Sequence, residues 1–106
     1  MPPIIRGNLR MIRHTVVFTL KHQPGSAEEK KFLEDALVLT TIPTVQKFER
    51  LRQVSVKNPY KFGFSMEFAD QAAYDTYDQH PVHVAFVRDR WKKEVTDFME
   101  VDYVRI

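Results

Sequence analysis

Tyr77 and His83, in the segment Tyr77-Asp78-Gln79-His80-Pro81-Val82-His83, could carry proton chemistry together. They stand six residues apart with Pro81 between them, and a helix broken at that proline could turn phenol and imidazole towards one cavity. An imidazole, with an ordinary pKa of about 6.5, suits removal of a proton next to a carbonyl. A phenol can orient or protonate the enolate that results. The same His83 could instead serve the fold alone, hydrogen-bonding to backbone where helix meets sheet, as buried polar groups generally do.

The remaining candidates are weighed in the same way. His14 lies in an alternating segment and shares a face with Val16, Phe18 and Leu20, so it could line a pocket or sit as a satisfied core histidine. His80 and His83, at i and i+3, could share a metal on an unbroken helix, with His14 or Asp78 as a third ligand. Pro81 between them and the lack of a further ligand cluster argue against this, so no metal is expected. A haem would also want a histidine ligand, and nothing in the sequence marks one for that use. No other cofactor is expected. Arg50 and Arg52, two apart on one strand face, could receive a carboxylate or phosphate, but solvated charges at a sheet edge explain them better.

These residues must be positioned by one small core. The chain has 106 residues, 43% hydrophobic and 12% aromatic, enough for a single domain that folds. It has no cysteine, which excludes disulfide scaffolds, thiolate metal sites and thiol nucleophiles. The net charge of +2 is too small to imply nucleic acid. Its distribution is uneven: residues 1–61 carry eleven basic and five acidic side chains, and residues 62–106 five and nine, which reads as a solvated, self-complementary surface. Apolar runs such as Val16-Val17-Phe18 and Ala36-Leu37-Val38-Leu39 fall far short of the roughly 20 residues that span a bilayer. The N-terminus lacks the apolar stretch of a signal peptide, so a cytoplasmic protein without membrane contact is expected.

Residues 1–10 lack periodicity and read as a flexible arm preceding a domain over 11–106. Alternation from Ile12 to Leu20 predicts a half-buried strand. Ser26 with Glu29 three residues later forms a capping box, opening a helix with an apolar stripe of Phe32, Leu33, Ala36, Leu37 and Leu39 that stops before Pro43. A second strand is expected over Val45–Val56 and a turn at Asn58-Pro59. The third strand places Tyr60, Phe62, Phe64, Met66 and Phe68 on one face. Asp70 can cap a helix through Tyr77, which His80-Pro81 interrupts. The restarted helix carries Val84, Val87 and Trp91 on one face, and a last strand covers Phe98 to Val104. The order β-α-β-β-α-β predicts a ferredoxin-like α+β fold: a four-stranded antiparallel sheet with both helices on one face.

Met11-Ile12-Arg13-His14-Thr15-Val16-Val17-Phe18, the Phe62-to-Phe68 strand and above all the stretch from Tyr77 to Val87, with its His-Pro-Val-His element, resemble the stress-responsive dimeric α/β-barrel (Dabb) domain family. The resemblance runs from about Met11 to Ile106. It implies a homodimer whose sheets pair face to face into a dimeric α+β barrel. Most members have no assigned reaction, and some plant members are described as stress-induced or as stable oligomeric proteins. One plant relative is a polyketide cyclase that closes a linear chain by aldol condensation with loss of thioester. Its catalytic tyrosine and histidine fall by motif on Tyr77 and His83, and further histidines on His14 and His80. Another of its active-site histidines falls where this chain has Phe62. The reading is therefore a Dabb domain protein of unassigned activity with a pocket between sheet and helices, lined by His14, Phe62, Phe64, Tyr77, His80, His83 and Phe86, for a small apolar or polyketide-like ligand. The alternatives are a cyclase-like enzyme using Tyr77 and His83 and a non-enzymatic, stress-related oligomer.

Overall fold

Alternation in Ile12–Leu20 becomes strand β1, whose even-numbered residues Ile12, His14, Val16, Phe18 and Leu20 are all buried. The computed structural model describes residues 10–106. The expected arm over 1–10 therefore lies, Arg10 apart, outside the described residues. After a turn at Gly25, whose φ of 77° suits the residue without a Cβ, helix α1 covers Ala27–Asp35 and continues as a 3-10 turn over Ala36–Thr41. Strands β2 (Gln46–Arg52) and β3 (Phe62–Phe68) follow. Then come α2 (Gln71–Gln79), α3 (Pro81–Phe86), a π turn (Val87–Trp91), the short α4 (Lys92–Glu94) and β4 (Val95–Tyr103). The sheet is antiparallel throughout with order β2-β3-β1-β4, the ferredoxin-like α+β arrangement. Phe32 and Leu39 from one helical segment and Tyr77 and Phe86 from the other join Val16, Phe18, Phe62 and Phe64 in one core, so the helices share one face of the sheet.

Both capping residues act as expected: Glu29 N–H donates to Ser26 Oγ at 3.2 Å, and Ala73 N–H to Asp70 Oδ1 at 2.9 Å. The return half of the capping box is displaced by one residue: Glu29 Oε1 accepts from Gly25 N–H at 3.0 Å, and Ser26 N–H donates to the Gln23 carbonyl. Where the structure departs from the sequence reading, a change of helical pitch is the main cause. Leu37 is 42% exposed rather than buried, because the chain tightens to 3-10 geometry, which eclipses residues three apart. Ala36, Leu39 and Ile42 thereby become the buried row, and the hydroxyls of Thr40 and Thr41 donate to the carbonyls of Leu37 and Val38 at 2.7 Å. Val84 likewise lies outside, 45% exposed. The wider π turn changes the phase of the chain, so that Phe86 and Trp91, five apart, both approach Phe32, at 5.5 and 6.3 Å between ring centroids.

The strands differ from expectation at their ends. Strand β2 stops at Arg52 because the Gln53 side chain donates to the carbonyls of Ser55 and Tyr60 and accepts from Ser55 N–H, closing a loop. At its start the register shifts, with Lys47 at φ 51°. Strand β3 begins at Phe62 rather than Tyr60, and all seven of its residues are buried, the polar ones included. Glu67 achieves this through Arg13 at 2.7 Å and Lys47 at 3.5 Å, pairs that join the basic and acidic portions of the chain. Arg50 donates to the Leu33 carbonyl at 2.9 Å, and the Arg52 guanidinium lies 5.3 Å from the centre of the Phe62 ring. These arginines pack the edge of the core.

Candidate functional site

Helix α2 ends at Gln79, and His80 adopts an extended conformation before Pro81 opens α3. Proline suits that first position because its missing N–H would have had no helical partner. The His80 ring acts as the cap: its Nδ1 accepts from Val82 N–H at 3.1 Å. This break brings Tyr77 and His83 together with ring centroids 4.2 Å apart. His83 Nδ1 lies 3.0 Å from the Asp78 carbonyl. A carbonyl can only accept, so Nδ1 carries the proton and Nε2 is left as an acceptor.

Both rings line a cavity of about 460 Å³ between sheet and helices, in the range of small-molecule pockets. His14, Tyr77 and His83 supply polar groups to it, among apolar walls that include Val16, Phe64, Met66, Phe86, Trp91 and Phe98. The exposed charged residues Asp78, Lys92 and Glu100 stand in its lining as well. Burial, and secondarily the nearby Asp78 and Glu100, pushes the Tyr77 phenol well above its ordinary value, so it stays protonated. Partial desolvation raises the Asp78 carboxyl too, partly offset by His83 and His14. Tyr77 is 3% exposed, and its hydroxyl makes no hydrogen bond to another described residue.

His14 approaches the same cavity from β1. In the β1–β4 ladder it stands opposite Asp102, which puts both side chains on the helix-facing side. Its Nδ1 lies 2.6 Å from Asp102 Oδ1, and the Tyr74 hydroxyl reaches Asp102 Oδ2 at 2.8 Å and His14 Nδ1 at 2.9 Å.

Of the residues predicted from sequence, the fold brings His14, Phe64, Tyr77, His83 and Phe86 to one cavity. Phe62 and His80 are not among its lining: Phe62 packs on Phe18 at 5.8 Å, deeper in the core, and His80 is occupied as a cap. Asp102, Tyr74, Trp91 and Glu100 were not singled out as site residues. The alternation of Phe98, Glu100 and Asp102 along the last strand, and Tyr74 one turn before Tyr77, were the available signals. Among the described residues no group of three or more His, Asp or Glu could hold a metal. No described helix is long and apolar enough to cross a membrane.

The comparisons with known proteins agree with this architecture. A protein from Mesorhizobium loti, described as a Dabb family protein with a ferredoxin-like fold, is 64% identical. The match covers 92% of this chain and 98% of that one with a TM-score of 0.91. A hydroxynitrile lyase from Passiflora edulis shares the fold at 13% identity, with 92% and 95% of the two chains covered and a TM-score of 0.80. A dimeric protein of unknown function from Bacteroides fragilis matches at 24% identity, 90% and 96% coverage and a TM-score of 0.66. No curated protein matches the chain. The sequence profile described as Stress responsive A/B Barrel Domain matches residues 12–105, almost the whole length that builds the sheet, the helical break and the cavity, and the chain belongs to that family.

Proposed function

We propose that the cavity binds a small, mostly apolar molecule carrying a carbonyl or hydroxyl, with Tyr77 and His83 at the polar end. The observation that carries this reading is the Tyr77 hydroxyl, which is held in a buried ring and opens onto the cavity without a partner among the described residues. The hydroxyl is reachable from the cavity although its ring is buried, so a ligand oxygen entering there could accept its hydrogen bond. Aromatic walls at Phe64, Trp91 and Phe98 suit an aryl or alkyl body.

The contact between Tyr77 and His83 favours an acid–base use of the same pocket. His83 Nε2 would take a proton next to the ligand carbonyl, and the protonated Tyr77 would donate to the oxygen on which charge develops. A polyketide-like substrate with a second carbonyl in reach could then close a ring by aldol addition. A thermal-shift screen of aryl ketones and of aromatic and polyketide-like acids tests the binding step. At a ligand concentration of 100 Kd the wild type should gain about 2.7 kcal/mol, and His83→Ala should fold but respond less. If the wild type responds to no compound, the pocket reading fails and a non-enzymatic oligomer becomes the better account.

A homodimer is part of this proposal. The sheet face away from the helices carries Leu51, Met99 and Tyr103, each 47–55% exposed, beside half-buried Thr15, Val17 and Val101. A second copy covering that face would hide them and close the barrel. A monomeric mass in solution at micromolar concentration would sink this part of the proposal.

A further inference from the structure

Resting on the reading of the cavity as a ligand site, we propose that Asp102 and Tyr74 hold His14 in a single tautomer. This makes His14 Nε2 a second proton acceptor of the cavity, directed at an acidic ligand hydroxyl, a phenol or an enol. The chemistry of the partners sets the tautomer. An ionised carboxylate can only accept, so the 2.6 Å contact between His14 Nδ1 and Asp102 Oδ1 requires the proton on Nδ1. The other oxygen of Asp102 accepts from the Tyr74 hydroxyl at 2.8 Å, so both oxygens of the carboxylate are engaged. The Tyr74 ring is fixed in turn, stacked on the fully buried Phe68 with centroids 4.9 Å apart and planes 16° from parallel. Burial and the adjacent Asp102 raise the Tyr74 phenol well above its ordinary value, which keeps it a donor.

His14 itself is 6% exposed and lines the cavity, and its Nε2 makes no hydrogen bond to a described residue. It differs from His83 in the group behind the ring. His83 leans on a neutral carbonyl, whereas His14 leans on a carboxylate that stabilises the imidazolium formed when a proton arrives. When a ligand O–H gives its proton to His14 Nε2, the products are an imidazolium paired with Asp102 and a phenolate or enolate beside it. No further reactant is required. Asp102 and Tyr74 are positioning residues, and His14 is the group that meets the ligand.

The test uses the full chain and two measurements. Long-range ¹H–¹⁵N spectra of the imidazoles at alkaline pH should show His14 with its proton on Nδ1. That tautomer should persist in Tyr74→Phe and give way to the Nε2–H form in Asp102→Ala. A wild-type His14 carrying its proton on Nε2 overturns the proposal. The second measurement compares binding of 4-nitrophenol and 4-nitroanisole, which differ by the acidic hydrogen. The wild type should prefer the phenol by about tenfold or more, the strength of a charge-assisted hydrogen bond. Asp102→Ala should lose most of that preference while binding the ether unchanged, which also shows that the variant is folded. Equal binding of the two probes by the wild type overturns the inference and leaves the pocket reading standing. Binding of neither overturns both.

Discussion

Two clusters of ionisable groups sit on the helical side of the sheet, and they are built on opposite principles. One is a clasp in which Arg90 joins Asp35 at the end of α1 to Glu94 in α4, with Lys31 on Asp35 at 3.1 Å and His22 on Glu94 at 2.7 Å. Hydrogen bonds from Arg90 and then Lys31 hold the Asp35 carboxyl below the usual carboxylate range. For Glu94, desolvation pulls upward but the bonds from Arg90 and His22 outweigh it. The other cluster is the polar end of the cavity, with Tyr74 behind it on His14, where desolvation leads and Tyr74, Tyr77 and Asp78 are all raised. Ionisable groups that are fully partnered hold elements together. Groups whose protonated form is favoured by desolvation, beside a cavity that a ligand can enter, are where a proton can move.

The comparison can be broken most severely at the core beneath the clasp. Phe32 is fully buried and lies under the Arg90 guanidinium, 5.7 Å from its ring centre. Phe32→Ala should cost about 3–5 kcal/mol in denaturant unfolding, the usual price of deleting a buried aromatic. Next comes Arg90→Met, which keeps the aliphatic bulk and removes the bonds to Asp35 and Glu94. A loss of about 1–3 kcal/mol is expected, towards the lower end because the pair is partly exposed. A gain in stability would mean that the clasp contributes nothing.

Acid titration sharpens the contrast further. Asp35, Glu94 and Glu67 all have lowered values in the fold, Glu67 chiefly through Arg13. Their contribution is full above the ordinary carboxylate range, about pH 4, and disappears as pH falls through the lowered values. Asp78 has the reverse sign: raised in the fold, it favours the folded state at low pH and loses that contribution as pH rises. Unfolding free energy measured against pH should therefore fall on the acid side in the wild type and fall less steeply in Arg90→Met. Asp78→Asn should instead flatten the curve above the carboxylate range. The smallest effect on stability is expected at Tyr77→Phe, within about 1 kcal/mol by thermal melting, since removing an unpartnered hydroxyl orphans no other group. That variant should nevertheless lose most of the ligand-induced shift, and an unchanged shift would place the ligand elsewhere.

Much of the fold could be read from local pattern. Alternation marked β1 and β3, and Ser26 and Asp70 marked the two helix starts, because strand faces and caps depend on residues within a few positions of each other. Leu37 and Val84 were assigned to buried faces on an assumed unbroken α-helical period, but the chain is 3-10 at Leu37 and turns to π geometry at Val87, three residues after Val84. The site divided in the same way. Tyr77 and His83 were visible as a pair because a proline between them breaks one helix, and His14 because its strand alternates. Asp102 and Tyr74 were not, since their meeting with His14 joins positions 88 and 60 residues away.

By itself, then, the sequence determined the order of elements, the helix starts, the break at His80-Pro81 and the family to which the chain belongs, all properties of short segments or of their succession. Only the tertiary structure decided that β4 lies beside β1 in the register that sets Asp102 against His14, and that the π turn brings Trp91 and Val87 to the cavity rather than Val84. The reason is physical: register and helical pitch are settled by packing and hydrogen bonding between segments far apart in the chain, where local propensity is silent.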